Sequence, residues 1–205
     1  MIYELRTYDL RHRSVPEFGR RTAEKLAGRL EYSRLGGFWH AEVGRPLNQV
    51  VHIWPYDDLS QRADVRARAV ADGKWPPDNT EFILNMQSEI LNPAPFMTPL
   101  GDRKIGPLYE LRTYTYSPAD LPRVIDAWAQ VIEGREKLSP LAGCWYTEIG
   151  PLNRFVHLWA YSSYEERVRV RKEALDSGVW PPPTDAVALR QENKILTPFA
   201  FSPMQ

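Results

Sequence analysis

The chain has 205 residues, with 26 basic and 26 acidic side chains, so its formal net charge is zero. That balance argues against a general nucleic-acid binder, because no excess of cations is available to displace phosphate counterions. The 7 Trp, 10 Tyr and 7 Phe residues supply ample apolar surface for a core, which excludes an intrinsically disordered chain.

The beginning of the chain predicts a strand followed by a helix. Residues 2–8 alternate between two faces and contain aromatic and β-branched side chains, as half-buried strands do. Residues 15–34 carry apolar side chains near helical spacing. Ser14 is placed to cap the N-terminus of this helix, and Gly36-Gly37 ends it.

Two strands, a second helix and a last strand follow. Residues 38–43 and 49–56 predict two strands that are joined by a hairpin loop. Residues 59–71 predict a helix rich in Arg and Ala, which Gly73 stops. Residues 81–91 predict a short helical stretch that leads into a last strand.

The same pattern returns in the second half of the chain. Residues 3–8 and 109–114 both read Tyr-Glu-Leu-Arg-Thr-Tyr, 106 positions apart. The offset becomes 105 beyond Gly44, because Arg45 has no counterpart. Further residues that recur in the same order are Gly37, Trp39, His52, Trp54 and Tyr56, matched by Gly143, Trp145, His157, Trp159 and Tyr161. The chain is therefore a tandem duplication.

The duplication predicts the domain organisation and the fold class. We expect repeats over residues 1–100 and 101–205, with a linker rich in Pro and Gly between Pro93 and Pro107. Each repeat has the element order of a split ferredoxin-like unit, whose helices cover only one face of its sheet. Two copies can bury their bare faces against each other. The prediction is an α+β fold in which two tandem ferredoxin-like βαββαβ repeats form an intrachain dimeric α/β barrel.

One repeated string carries a family resemblance. Residues 46–56 read Pro-Leu-Asn-Gln-Val-Val-His-Ile-Trp-Pro-Tyr, and residues 151–161 read Pro-Leu-Asn-Arg-Phe-Val-His-Leu-Trp-Ala-Tyr. With Tyr-Glu-Leu-Arg-Thr-Tyr at each start and Arg-x-x-Val-Arg on each second helix, the chain resembles the NIPSNAP family over about residues 2–97 and 108–200. The resemblance implies the dimeric α/β barrel. It implies little chemistry, because its members, which have been linked to vesicle transport and mitochondria, share no established reaction.

The candidate site follows from the residues that recur on the strands. Of the four histidines, only His52 and His157 match across the repeat, and both are candidate catalytic residues. The first and third strands of a ferredoxin-like sheet are neighbours, so their apolar residues should share the face under the helices. The polar set then faces the barrel interior. It comprises Glu4, Arg6, His52 and Trp54 in the first repeat, and Glu110, Arg112, His157 and Trp159 in the second.

These residue types predict a polar, aromatic-walled pocket for a small planar or acidic metabolite. Arg binds carboxylates in bidentate fashion, His transfers protons near neutral pH, and Trp offers a flat wall. One alternative is a cofactor-independent oxygenase or isomerase that uses His, Glu and Arg. Another is a structural or interaction protein, in which the Glu–Arg pairs form a buried ion-pair network that joins two sheets.

The remaining features carry less functional information. The basic second helices, with Arg62, Arg66 and Arg68 in one repeat and Arg167, Arg169 and Arg171 in the other, indicate solvated surfaces or the rim of an acidic-ligand site. The two Trp-Pro-Pro strings, which begin at Trp75 and Trp180, indicate loop anchors or a ligand gate. No Gly-rich phosphate loop, Gly-x-Ser-x-Gly or His-Glu-x-x-His motif is present, so we expect neither a cofactor nor a metal.

The sequence also bears on the cellular compartment and on association. No apolar run approaches the roughly 20 residues that cross a bilayer, so we expect no membrane insertion. The first six residues place charges where a signal peptide has its apolar segment. Cys144 is the single cysteine and excludes an internal disulfide. We expect a reduced cytoplasmic protein, and a homodimer of the two-repeat chain stays open.

Overall fold

The computed structural model describes residues 1–205. Each repeat has the order strand, helix, strand, strand, helix, strand. The first repeat contains β1 (Ile2–Leu10), α1 (Val15–Leu30), β2 (Gly37–Val43), β3 (Gln49–Tyr56), α2 (Leu59–Ala71) and β4 (Ile83–Pro93), with a 3₁₀ turn at Thr80–Phe82. The second repeat contains β5 (Leu108–Thr115), α3 (Asp120–Glu136), β6 (Leu141–Ile149), β7 (Arg154–Tyr161), α4 (Tyr164–Asp176) and β8 (Arg190–Pro198).

The eight strands close into one barrel, in the order β1-β3-β2-β8-β5-β7-β6-β4. Neighbouring strands are antiparallel throughout. The pairs β2–β8 and β4–β6 join the two repeats, so each repeat closes the sheet of the other. The predicted α+β architecture, with two repeats in one intrachain barrel, is confirmed.

The local predictions agree with the structure except at helix ends. The helix α2 has the predicted bounds, and a 3₁₀ turn precedes β4 as expected. The helix α1 ends at Leu30, four residues before the predicted end at residue 34. Ser14 lies at the N-cap, but its hydroxyl donates to the carbonyl of Arg11 instead of capping a helix N–H. None of the helices is long and apolar enough to span a membrane.

An apolar cluster fills much of the barrel interior, and this corrects the predicted face assignment. Tyr3, Leu5, Val51 and Ile53 belong to a buried cluster that fills the barrel with residues of both repeats. The ring of Tyr3, for example, meets that of Trp145 from the other repeat at 5.7 Å between centroids. Glu4, Arg6, His52 and Trp54, on the opposite faces of β1 and β3, therefore point outward, toward the helices.

The sequence pattern predicted correctly which residues share a face, but not which way that face points. Glu4 is paired with Trp54 and Arg6 with His52 across β1 and β3, as the alternation requires. The inner face does carry charged residues, such as Glu89 of β4 and Arg154 of β7, which pair with each other at 2.7 Å. On the outer face, by contrast, arginines of α2 and α4 reach the buried carboxylates.

Candidate functional site

The structure brings the predicted site residues together as two separate clusters. Glu4, Arg6, His52 and Trp54 lie between the sheet and the helices of the first repeat. Glu110, Arg112, His157 and Trp159 occupy the corresponding place in the second. Contrary to the prediction, these eight residues do not meet in the barrel interior, because the apolar barrel core lies between the two clusters.

In the first cluster the carboxylate of Glu4 is fully buried and bonded from several sides. Its Oε1 accepts hydrogen bonds from Arg6 at 2.7 Å, from Arg62 at 2.6 Å and from Ser88 at 2.7 Å. Burial raises the pKa of Glu4, but the bonds and charges of Arg62 and Arg6 outweigh it and lower the pKa to about 2. This network ties a strand to α2, whereas the predicted ion-pair network would have joined two sheets.

In the second cluster the bonding of the carboxylate differs. Arg167 binds Glu110 with both nitrogens of its fork, Nε to Oε2 at 3.1 Å and Nη2 to Oε1 at 2.6 Å. The Asn193 amide donates to Oε1 at 3.1 Å. The Nε atom of Arg112 stays 4.0 Å from Oε1, and its guanidinium lies over the Tyr114 ring, 5.1 Å from the centroid. Because Arg167 binds both carboxylate oxygens of Glu110, the guanidinium of Arg112 is available to another acceptor.

Both repeated histidines are held in one tautomer. The indole N–H of Trp159 donates to Nδ1 of His157 at 2.8 Å, and Trp54 donates to Nδ1 of His52 at 2.7 Å. An indole can only donate, so Nδ1 carries a lone pair and a neutral imidazole carries its proton on Nε2. Burial lowers the pKa of His157 well below its usual value, and nearby Arg112 lowers it further. Each ring is therefore a neutral hydrogen-bond donor at Nε2.

A cavity of about 390 Å³ opens beside the second cluster. It lies between β5, β7 and the helices α3 and α4, and the segment that follows α4 covers it. Its aromatic walls include Trp128, Trp159 and Trp180, and the Trp128 ring lies 4.7 Å from that of His157. Aromatic walls of this kind suit a flat ligand.

The lining of this cavity is cationic. Arg112, Arg135 and Arg171 line it, and no Asp or Glu does. Three buried nitrogens of lining residues have no hydrogen-bond partner in the protein: Nε of Arg112, Nη1 of Arg171 and Nε2 of His157. All three are donors, so the cavity is arranged for an acceptor that carries negative charge.

Arg171, Arg135 and Trp128 are among the lining residues that lay outside the predicted site. Arg171 belongs to the basic helix face, yet its Nη1 approaches Oε2 of Glu110 to 3.7 Å, whereas Arg169 of the same helix points outward to Glu173. Arg135 and Trp128 on α3 were missed entirely. Arg135 could have been found, because Arg29 recurs there at the repeat offset amid the apolar stripe of its helix. Trp128 replaces a small residue of the first repeat and gave no such signal.

No group of three or more His, Cys, Asp or Glu side chains offers a set of metal ligands. Burial raises the pKa of the Cys144 thiol well above its usual value, which suits a buried apolar side chain better than a nucleophile. The chemistry available at the site is therefore that of arginine, neutral histidine and aromatic rings.

Comparisons with known proteins agree with the repeat and with the fold. The family profile described as NIPSNAP matches residues 3–98 and 109–203. Human NipSnap homolog 3A is 31% identical over 214 aligned positions, which span 100% of this chain and 86% of the relative. The NipSnap homolog of Dictyostelium discoideum is 32% identical over 87% of this chain and 78% of its own length.

A solved structure extends the likeness of the fold beyond these relatives. A putative monooxygenase of Lactobacillus acidophilus superimposes with a TM-score of 0.65 over 96% of this chain and 92% of its own, at 12% identity. So low an identity concerns the fold alone. The profile match on both repeats and the relatives aligned along the whole chain confirm the resemblance seen in the repeated strings: the chain belongs to the NIPSNAP family.

Proposed function

We propose that the chain binds a small planar acid, such as an aromatic carboxylate, in the cavity of the second repeat. The observation that carries the proposal is the donor set of Arg112, Arg171 and His157, whose three buried nitrogens lack protein partners. An unpaired buried donor costs about 1–3 kcal/mol. A ligand that accepts hydrogen bonds from all three nitrogens removes this cost, which favours its binding.

Charge and shape support the same class of ligand. The cavity has three arginines and no acid, which favours an anion over a cation or a neutral molecule. Its volume of about 390 Å³ falls within the range of small-molecule sites. The rings of Trp128 and Trp180, which meet at 4.6 Å, supply apolar wall for the body of the ligand.

A catalytic role for His52 and His157, as in a cofactor-independent oxygenase or isomerase, stays a prediction. The geometry favours a donor over a base, because the Trp159 indole occupies Nδ1 and the proton lies on Nε2. The nearby arginines also oppose any positive charge on the His157 ring. A cytoplasmic location and a homodimer likewise stay predictions.

The proposal is tested with salicylate, using its uncharged analogue salicylamide as the ligand control. Calorimetric titration should give saturable binding of salicylate and much weaker binding of salicylamide. Arg171→Gln should weaken salicylate binding by about tenfold or more, because a charge-assisted bond is lost. Arg169→Gln, on the same helix but facing solvent beside Glu173, should bind as the wild type does. Equal affinity for both compounds, or an unaffected Arg171→Gln, would refute an anion site.

A further inference from the structure

The two repeats offer a comparison that the cavity alone does not. Arg6 is the counterpart of Arg112, and Arg66 is the counterpart of Arg171. The two helix arginines have similar positions. Arg66 lies 3.8 Å from the carboxylate of Glu4, and Arg171 lies 3.7 Å from that of Glu110. The charged framework has therefore been kept in both copies, and the differences lie in how it is paired and filled.

The strand arginine of the first repeat is satisfied within the protein. Arg6 donates to Oε1 of Glu4 at 2.7 Å and to the hydroxyl of Tyr8 at 2.7 Å. The counterpart Arg112 has no such hydrogen bond to Glu110, and its Nε has no partner. An anion would have to compete with Glu4 for Arg6, whereas Arg112 is available to it.

The histidine of the first repeat is covered by an aromatic ring. Phe38 stacks on His52 with 4.5 Å between centroids and 13° between planes. Phe199 and Phe201 back Phe38 at 5.4 and 5.2 Å. The counterpart of Phe38 is Cys144, so no ring stacks on His157 in this way, and the Trp128 ring at 4.7 Å is tilted by 58°.

The helix above the first cluster fills the space that the second repeat leaves open. Phe18 of α1 is buried against the ring of Tyr8, at 6.2 Å, while its counterpart Val124 lines the cavity. Asn79 occupies the room beside the small Thr22, donating to its hydroxyl at 3.1 Å and to the Phe18 carbonyl at 3.2 Å. Side chains of the protein itself therefore take the space of a ligand, while Nε2 of His52, like that of His157, has no hydrogen-bond partner.

We propose that the two pseudo-equivalent sites have diverged, so that each chain binds one planar acid, in the second repeat, and the first site is a self-filled copy. Val124 and Cys144, where the first repeat has Phe18 and Phe38, are the specificity-determining positions that keep the second site open. The inference rests on the proposed function, and it adds the stoichiometry and the residues that set it.

Equilibrium dialysis of the full chain against salicylate measures the stoichiometry directly. We expect one salicylate per chain at saturation. Arg171→Gln should weaken binding by about tenfold or more, and its counterpart Arg66→Gln should leave both affinity and stoichiometry unchanged. Val124→Phe, which copies the first repeat, should abolish binding, with circular dichroism and a thermal melt to verify the fold.

The outcomes separate the inference from the proposed function. Two salicylates per chain, with one of them lost in Arg66→Gln, would overturn the divergence of the sites and leave the proposed function standing. Unchanged binding in a folded Val124→Phe would likewise overturn it. If the wild type binds no salicylate at all, the proposed function fails, and the inference fails with it. If Val124→Phe does not fold, the stoichiometry of the wild type and the comparison of Arg66→Gln with Arg171→Gln still test the inference.

Discussion

The same residue types are hydrogen-bonded differently in the two clusters. Arg62 donates to Oε1 of Glu4 through Nη2, and Arg6 donates to the same oxygen. Arg167 donates to both oxygens of Glu110, and the strand arginine Arg112 makes no hydrogen bond to that carboxylate. The first cluster is thus an ion-pair network within one repeat, and the proposed binding site lies at the second.

The buried carboxylate of Glu4 makes stability depend on pH. Its pKa is about 2 in the folded chain and ordinarily 4.5, so the folded state favours the ionised form. The resulting stabilisation, about 3 kcal/mol, is fully present above about pH 4.5 and is lost as the pH falls toward 2. Urea unfolding of the wild type should therefore show falling stability across that window.

Glu4→Gln isolates this contribution. At neutral pH the variant should be less stable by about 3 kcal/mol or more, because buried arginines lose their counter-charge. The deficit should shrink on acidification, since the wild-type carboxylate loses its advantage. Glu24→Gln, which breaks the exposed pair with Arg20, serves as control and should change little. A Glu4→Gln chain as stable as the wild type at neutral pH would contradict the role given to this network.

At the residue scale, sequence patterns predicted which side chains lie next to each other better than they predicted where those side chains lie in the fold. Alternation on β1 and β3 predicted that Glu4, Arg6 and His52 share a face, and they do. It could not predict the direction of that face, because both faces of a barrel strand are buried. Alternation alone does not distinguish the face toward the barrel interior from the face toward the helices. Arg171 could have been separated from Arg169, because Arg171 recurs as Arg66 whereas the counterpart of Arg169 is Asp64.

At the scale of elements, much of the repeated motif has a backbone explanation. The β2–β3 and β6–β7 hairpins both place Asn in the left-handed region, with φ of 56° at Asn48 and 58° at Asn153. The preceding glycines also have positive φ, 131° at Gly44 and 127° at Gly150. Asn and Gly tolerate these conformations best, so their recurrence reflects the turns. The hairpins were predictable for this reason.

The repeated Gly-x-Trp of β2 and β6 supports a second prediction. A Cβ added at Gly143 would meet Cη2 of Trp145 at 2.0 Å, and one at Gly37 would meet Trp39 at 1.9 Å. The glycine therefore provides the space over which the buried indole lies. Gly143→Ala should destabilise the chain by about 2–3 kcal/mol, because the indole must move within a packed core.

Chemical denaturation of a glycine pair checks this prediction. Gly101→Ala is the matched control, since nothing lies within 4 Å of a Cβ at Gly101. It should alter the free energy of unfolding by no more than about 0.5 kcal/mol. If Gly143→Ala unfolds at the same urea concentration as Gly101→Ala, the packing of the Trp145 indole does not require a glycine at position 143.

At the scale of the whole molecule, duplication and barrel closure are one property. The cluster that fills the barrel takes residues from both repeats, with Trp39 against Tyr109 at 5.5 Å among them. A lone repeat would expose this apolar face and the edges of β2 and β4. The sequence predicted this closure because a half-covered sheet needs a partner, and that argument does not depend on which residues face inward.

Cutting the linker tests whether the repeats depend on each other. A protease site inserted after Asp102, which is exposed, would sever the chain between β4 and β5. We expect the two fragments to elute together under native conditions and to unfold in a single transition, because the barrel joins them without the linker. Trp39→Ala should weaken this association, since it removes a buried contact between the repeats, whereas Val70→Ala on the exposed face of α2 should not. Fragments that part as separately folded units would show that each repeat buries its own core, contrary to the shared barrel.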